Sequence, residues 1–176
     1  KAVAMPELRF EDQRLTSFAG LAVTQRFFQF ILYKTRLQKC FRHLSQGKIY
    51  DRATIFMQLV IHVLLGFREL RDAAHYQDDP LVQRVLGLKH LPDVATISRM
   101  LKEADQHSVD KLRHLLRDMV LERIGSLSLP RVTLDFDGSV QSTKRRAEGT
   151  AVGFNKKKKG ARSYYPLFCT LAQSGQ

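Results

Sequence analysis

Cysteine is scarce in this sequence, and long apolar runs are missing. The two cysteines, Cys40 and Cys169, stand far apart and form no CxxC pattern, so we expect no zinc site and a reducing compartment. The most apolar window, residues 55–67, is interrupted by Gln58 and His62. Because a membrane-spanning helix needs about 20 apolar residues, we interpret this window as a buried helix and expect no membrane partner.

Acidic residues are few compared with basic ones. The 29 Lys and Arg residues and 17 Asp and Glu residues give a formal net charge of +12 and a pI of about 10.0. This excess favours a polyanionic partner, with nucleic acid first, an anionic membrane surface second, and ordinary solubility charge as the alternative. A hydrophobic content of 44% can build a core, which excludes disorder throughout the chain.

Residues 1–128 are predicted to form a helical domain. Apolar residues recur at helical spacing from Phe18 to Cys40, and a core helix is predicted from Arg52 to about Phe67, with Asp51 as its N-cap. A turn at Asp78-Asp79 precedes Pro80, which suits the first position of a short helix ending at Gly87. A long helix is predicted from Ser108 to Ile124, closed by Gly125.

Another helix, from Val94 to about Ala104, is predicted to begin at the N-cap Asp93. It follows a turn and is expected to expose Thr96, Ser98 and Arg99, as the recognition helix of a helix-turn-helix does. These three residues are therefore candidate DNA contacts. The alternative is a capped core helix.

Strand patterning begins after the linker 125–130. Residues 131–140 alternate so that Asp135 and Asp137 share one face, while Val132, Leu134 and Phe136 share the other, which we expect to be buried. Carboxylates so placed suit a divalent metal such as Mg²⁺, which takes oxygen ligands. The alternative is that the two acids only supply turn polarity, because a lone D-x-D is a weak signal.

Basic residues are concentrated beside this strand. Residues 131–176 hold nine Lys or Arg and three Asp or Glu, a net charge of +6. The candidate phosphate-binding residues are Lys144, Arg145, Arg146, Lys156, Lys157, Lys158, Lys159 and Arg162. Alternatives are a solvated loop or a localisation signal. No aromatic residues are interleaved with the basic run before Tyr164, where a second strand, Tyr164–Ala172, is predicted to begin. This lack of aromatic residues argues against base stacking.

Residues 133–176 resemble the first catalytic block of bacterial insertion-sequence transposases of the IS1380 group, within the DDE superfamily. The matching segments are Thr133–Ser139, Glu148-Gly149, Gly153–Gly160 and Ser163–Leu167. Several N-terminal segments of this chain resemble the leader region of the same family. They are Ser17–Leu21, Asp78–Pro80, Leu86-Gly87 and Leu91–Asp93 with Thr96, Ser98 and Arg99. The resemblance covers nearly the whole chain.

The resemblance implies an α+β fold. An N-terminal helical domain, residues 1–128, would precede the opening β-strands of an incomplete ribonuclease H-like catalytic domain, residues 129–176. It also implies that Asp137 is the first of three catalytic acids and a metal ligand, with Asp135 as runner-up or auxiliary ligand. The complete enzyme would use Mg²⁺ or Mn²⁺ and act as a homodimer on double-stranded DNA, at insertion-sequence ends and target DNA, in the bacterial cytoplasm near the nucleoid.

The chain begins with Lys1 and ends at Gln176, before the positions where the family's second Asp and its Glu would lie. We therefore expect a transposase fragment that holds no metal stably and does not cut or join DNA alone. Two other readings stay open, a non-catalytic DNA-binding product that competes with the intact enzyme and an RNA-binding or interaction protein.

Overall fold

Helices form the first part of the chain and short strands the last part, an α+β arrangement as expected. The computed structural model describes residues 15–45, 47, 49–143 and 147–175. The helices are α1 (Leu21–Phe30), α2 (Tyr33–Phe41), α3 (Arg52–Leu64), a 3-10 turn (Leu70–His75), α4 (Pro80–Leu86), α5 (Val94–Lys102) and α6 (Gln106–Ser126). The strands are β1 (Leu134–Gly138), β2 (Gln141–Ser142), β3 (Ala151–Val152), β4 (Arg162–Tyr164) and β5 (Leu167–Leu171).

The chain divides into two compact units, Lys1–Arg117 and Asp118–Gln176. The first is built around α3, which packs against α2, α4 and α5. As predicted, α3 runs through the core. Its side chains Ala53, Met57 and Ile61 are buried together with residues of α1, α2 and α4.

The starts of α3, α4 and α5 were predicted correctly because their caps are local. The Asp51 carboxylate accepts a hydrogen bond from the Ala53 N–H, and the Asp93 carboxylate accepts one from the Thr96 N–H at 2.7 Å. Bonds from the Thr96 hydroxyl and N–H lower the pKa of Asp93. Pro80 occupies the first position of α4, and Gly87 ends that helix in the left-handed conformation that glycine adopts readily.

The predicted helical stretch from Phe18 to Cys40 is two helices instead of one. Leu32 separates α1 from α2 with φ 52° and ψ 39°, a left-handed conformation that costs a non-glycine residue about 1–2 kcal/mol. The stacked rings of Phe28 and Tyr33, with centroids 4.8 Å apart, hold the two helices together across this break. Periodicity alone could not show the break, because both helices keep apolar residues at helical spacing.

The last helix, α6, differs from its prediction at both ends. It starts at Gln106 because Asp105 accepts hydrogen bonds from the Ser108 hydroxyl at 2.6 Å and N–H at 2.8 Å. These bonds, with that of His43, lower the pKa of Asp105 well below its usual range. The helix was predicted to end at Gly125, but it continues through that residue to Ser126. The residue with a left-handed conformation after the helix is Ser128, with φ 48°.

Asp79 links the start of α4 to the segment that precedes α1. Its carboxylate accepts bonds from the Leu81 and Val82 N–H groups at 2.9 and 3.1 Å and from the Thr16 hydroxyl at 2.9 Å. We expect Asp79→Ala to lower the free energy of unfolding by about 1–3 kcal/mol, since it removes an N-cap and the acceptor of the Thr16 hydroxyl. Urea denaturation measures this value.

The adjacent Asp78 is exposed and has no hydrogen bond or ion pair to the described part of the chain. Asp78→Ala is therefore the matched control, and we expect it to change the free energy of unfolding by less than about 0.5 kcal/mol. Equal destabilisation by the two substitutions would contradict this account of Asp79.

Candidate functional site

The strands form two sheets, β1–β5 and β2–β4–β3. The antiparallel pairs β1–β5 and β2–β4 follow one another along the chain in one register, as a ribbon. β1 pairs with β5 from Leu134 opposite Leu171 to Gly138 opposite Leu167, and β2 pairs with β4 in the same register. Two further bonds extend the ribbon at its ends, from Ala172 N–H to the Thr133 carbonyl and from Thr143 N–H to the Arg162 carbonyl. Residues 133–143 therefore run alongside 162–172.

Pro166 interrupts this ribbon in its middle. The Ser139 N–H donates to the Pro166 carbonyl at 3.0 Å, but proline has no N–H to donate in return. One ladder bond is therefore lost, and the second strand, predicted as Tyr164–Ala172, appears as β4 and β5 on either side of Pro166. The first predicted strand, 131–140, is likewise shortened to β1.

The register fixes which side chains share a face, because residues directly opposite each other in an antiparallel pair lie on the same face. Asp135 lies opposite Thr170, and Asp137 lies opposite Phe168. The same face continues toward the far end of the ribbon through Gln141 opposite Tyr164. We call this side of the ribbon the carboxylate face.

The other face is apolar but is not buried as predicted. It carries Leu134 and Phe136 opposite Leu171 and Cys169. Leu171 is buried, whereas Leu134 is exposed and Phe136 is 64% exposed. Val132 is exposed as well. The predicted alternation of acidic and apolar side chains between the two faces is present. However, no described side chain covers most of the apolar face.

The two carboxylates are free to bind a cation. Asp135 and Asp137 are exposed, and neither has a hydrogen-bond or ion-pair partner among the residues that the structure describes. Being two apart on a strand, their side chains are separated by about 7 Å. Their oxygens are hard ligands that fit Mg²⁺, which often binds through one or two carboxylates and keeps several waters.

No third acidic, histidine or cysteine side chain joins them within the described ranges, where no group of three such residues is close enough to hold a metal ion. The pair is therefore a partial ligand set. It leaves most coordination positions to water or to phosphate oxygens.

The lysine run forms a turn between β3 and β4 that Asn155 holds in place. The Asn155 carboxamide oxygen accepts from the N–H groups of Lys157 and Lys158 at 3.1 and 2.9 Å. Its NH₂ group donates to the hydroxyls of Ser142 and Ser163 at 2.8 and 3.1 Å. Asn155 is only 6% exposed, so it fastens the turn to the sheet. We call residues 156–159 the lysine loop.

All four lysines of this loop are exposed, and none forms an ion pair within the described segments. The Lys156 ammonium lies 5.8 Å from the centroid of the Phe154 ring, within cation–π range. Four unpaired cations on a fixed turn offer a site for a polyanion.

Arg162, predicted to contact phosphate, also braces the sheet. Its guanidinium donates to the Thr150 hydroxyl at 3.1 Å and to the Thr150 carbonyl. Three other predicted phosphate contacts, Lys144, Arg145 and Arg146, lie outside the described residues. Arg162 is exposed, and its contact with phosphate stays a prediction.

The geometry around α5 favours the capped core helix over a helix-turn-helix. Ile97 and Met100 are buried against Ile55 of α3, and α5 packs on α3 and the 3-10 turn. The connection from α4, residues 87–93, exceeds the three or four residues usual in that motif. Ser98 and Arg99 are exposed as expected, whereas Thr96 is half-buried. DNA contact by these three residues stays a prediction.

Two residues of the site were missed in the sequence. Phe154 stands two residues before Lys156. No aromatic residue is interleaved with the basic run, as the sequence analysis stated, but Phe154 lies beside it. The two-residue spacing of Phe154 and Lys156 was the available signal. Asn155 gave no comparable signal, because its importance depends on Ser142 and Ser163, which are distant in sequence.

The comparison with known families identifies the chain. The family described as transposase DDE domain group 1 matches residues 5–175, so the chain belongs to this transposase family. No curated protein and no solved structure matches it. Among the described residues, no helix is long and apolar enough to cross a membrane. The membership supports DNA transposition as the process in which the protein takes part.

The role of Asn155 in shaping the lysine loop can be tested directly. Asn155→Ala removes the acceptor of the Lys157 and Lys158 N–H groups. We expect these two amides to exchange with solvent about five- to tenfold faster, as the loss of about 1 kcal/mol per bond implies. Hydrogen exchange followed by NMR measures both amides.

Asn155→Asp is the matched control, because it keeps an oxygen acceptor at the same position. We expect it to retain the protection of both amides. Unchanged exchange in Asn155→Ala would mean that the turn is held by other contacts.

Proposed function

We propose that this chain binds DNA through the lysine loop and contributes Asp137, with Asp135 as auxiliary ligand, to the metal-binding site of a DDE transposase. One observation carries the proposal. A carboxylate pair without partners and a fixed cationic turn both belong to the same β-ribbon unit. Metal-binding acids close to a phosphate-binding surface are what phosphodiester chemistry needs.

The spacing of the two sites fits one DNA molecule. From Asp137 to Thr143, which lies opposite Arg162 beside the lysine loop, the ribbon extends six residues, or about 20 Å at about 3.3 Å per residue. Along duplex DNA this distance corresponds to about six base pairs. Ser142 and Ser163, which hold Asn155, lie on the face opposite the two carboxylates. One DNA molecule that contacts both sites would therefore pass the edge or the end of the ribbon.

Each group has a defined part in this arrangement. The lysines would neutralise phosphates and release their counterions, which positions the DNA without reading its sequence. Asp137 and Asp135 would hold Mg²⁺ or Mn²⁺. When bound, such an ion supplies Lewis-acid activation of the scissile phosphate. Asn155 positions the lysines through the N–H groups of Lys157 and Lys158.

Finer features of the proposal rest on the resemblance to the IS1380 group. They are a ribonuclease H-like course for the catalytic domain beginning near residue 129 and a helical domain over 1–128. They also include insertion-sequence ends and target DNA as substrates, a homodimer as the working form, and a site of action at the nucleoid. Thr96, Ser98 and Arg99 are proposed as a further DNA contact.

A second candidate function is DNA binding without catalysis. It is favoured by the absence, among the described residues, of a third ligand beside Asp135 and Asp137. On this alternative the lysine loop acts as proposed, but a divalent ion has no effect at the carboxylate face.

The DNA-binding proposal predicts a specific salt dependence. Lys157→Ala together with Lys158→Ala removes two phosphate contacts while leaving the backbone N–H groups for Asn155. We expect the slope of log affinity against log salt concentration to become shallower by about 1.8, because each phosphate contact contributes about 0.9. Fluorescence anisotropy with duplex DNA over a salt series gives this slope.

The matched control removes the same charge elsewhere. Lys34 and Lys39 are exposed on α2, and we expect Lys34→Ala with Lys39→Ala to leave the slope unchanged. Equal changes in both double variants would show that only net charge matters. An unchanged slope in the Lys157 and Lys158 variant would contradict the proposed site.

A further inference from the structure

We infer that Phe154 is a base-stacking residue, and that the tip of the ribbon therefore prefers DNA with unpaired nucleotides to fully paired DNA. This inference rests on the proposed DNA binding by the lysine loop and adds the form of DNA that the loop selects. The juxtaposition of an exposed aromatic ring with four unpaired cations carries it.

The Phe154 ring has little to bury it within this chain. It is 74% exposed, and its described neighbour is the Lys156 ammonium, 5.8 Å from the ring centroid. A phenyl ring in such a position does not stabilise the folded state, because apolar side chains contribute to stability only when they are removed from water. It is available to a ligand.

The backbone on both sides of Phe154 is anchored. Gly153 lies against the Tyr165 ring so closely that a Cβ at this position would be 2.7 Å from the hydroxyl oxygen. On the other side, Asn155 is buried and bonded to Ser142 and Ser163. The ring is therefore presented at a defined place, which lowers the entropy that a ligand must overcome on binding.

The charges beside the ring define the ligand. A planar group that stacks on a phenyl ring and carries phosphates next to it is a nucleotide, and the lysine loop supplies cations for those phosphates. Inside a duplex both faces of each base are covered by its neighbours. A base can therefore reach Phe154 only where the strands are separated or at an unpaired end.

The test compares two DNA forms with the full chain. Fluorescence anisotropy measures affinity for a blunt duplex and for the same duplex with an unpaired single-stranded tail. We expect tighter binding of the tailed form, and we expect Phe154→Leu to remove about 5- to 150-fold of that preference, the range for one stacked base. Phe154→Tyr keeps an aromatic ring and should restore it.

Phe30, which is 84% exposed on α1, provides the matched control, and Phe30→Leu should leave both affinities unchanged. Equal binding of the two DNA forms by the unmodified chain would overturn the inference. So would an equal loss of both affinities in Phe154→Leu. If the unmodified chain bound neither form, the proposed DNA binding itself would fail, which separates the two outcomes.

Discussion

The backbone pairing of residues 133–143 with 162–172 is the constraint on which the candidate site depends. Side chains alternate along a strand, so a slip of one residue would move Asp135 and Asp137 to the apolar face. The pairing is secured at one end by Gln173, whose side chain exchanges bonds with the N–H and hydroxyl of Thr133 at 3.1 and 3.0 Å. At the other end, Asn155 joins Ser142 to Ser163 across the ribbon.

This constraint explains how an exposed sheet keeps a defined arrangement. Most of the apolar face is uncovered, so burial contributes less to the register than it does in a packed sheet. Polar bonds at the two ends take over that role. Asn155, which supplies the bonds at one end, also holds the lysine loop. The order of the acids and the lysines along the ribbon follows from one register.

Structural features were predictable from the sequence where the residues that determine them lie close together in the chain. The caps Asp51 and Asp93 and the start of α4 at Pro80 were predicted correctly, because each acts within one helical turn. The shared face of Asp135 and Asp137 followed from the two-residue period of a strand. The break at Leu32 was missed, since a strained left-handed residue is held by packing that periodicity does not record. Asn155 was missed for the same reason, because its partners are brought near only by folding.

The central claim is that the carboxylate face and the lysine loop act on one DNA molecule, and that Asp135 and Asp137 would hold a divalent ion there. Its most direct measurement is the DNA affinity of the chain as Mg²⁺ is titrated at constant ionic strength. The account predicts that Mg²⁺ strengthens binding by the unmodified chain. Asp135→Asn with Asp137→Asn should bind more tightly without Mg²⁺, because repulsion between carboxylate and phosphate is gone, and should gain no affinity from Mg²⁺. Asp78→Asn, at an exposed acid in the first unit, should behave as the unmodified chain. The same Mg²⁺ response in the unmodified chain and in the double variant would contradict the account.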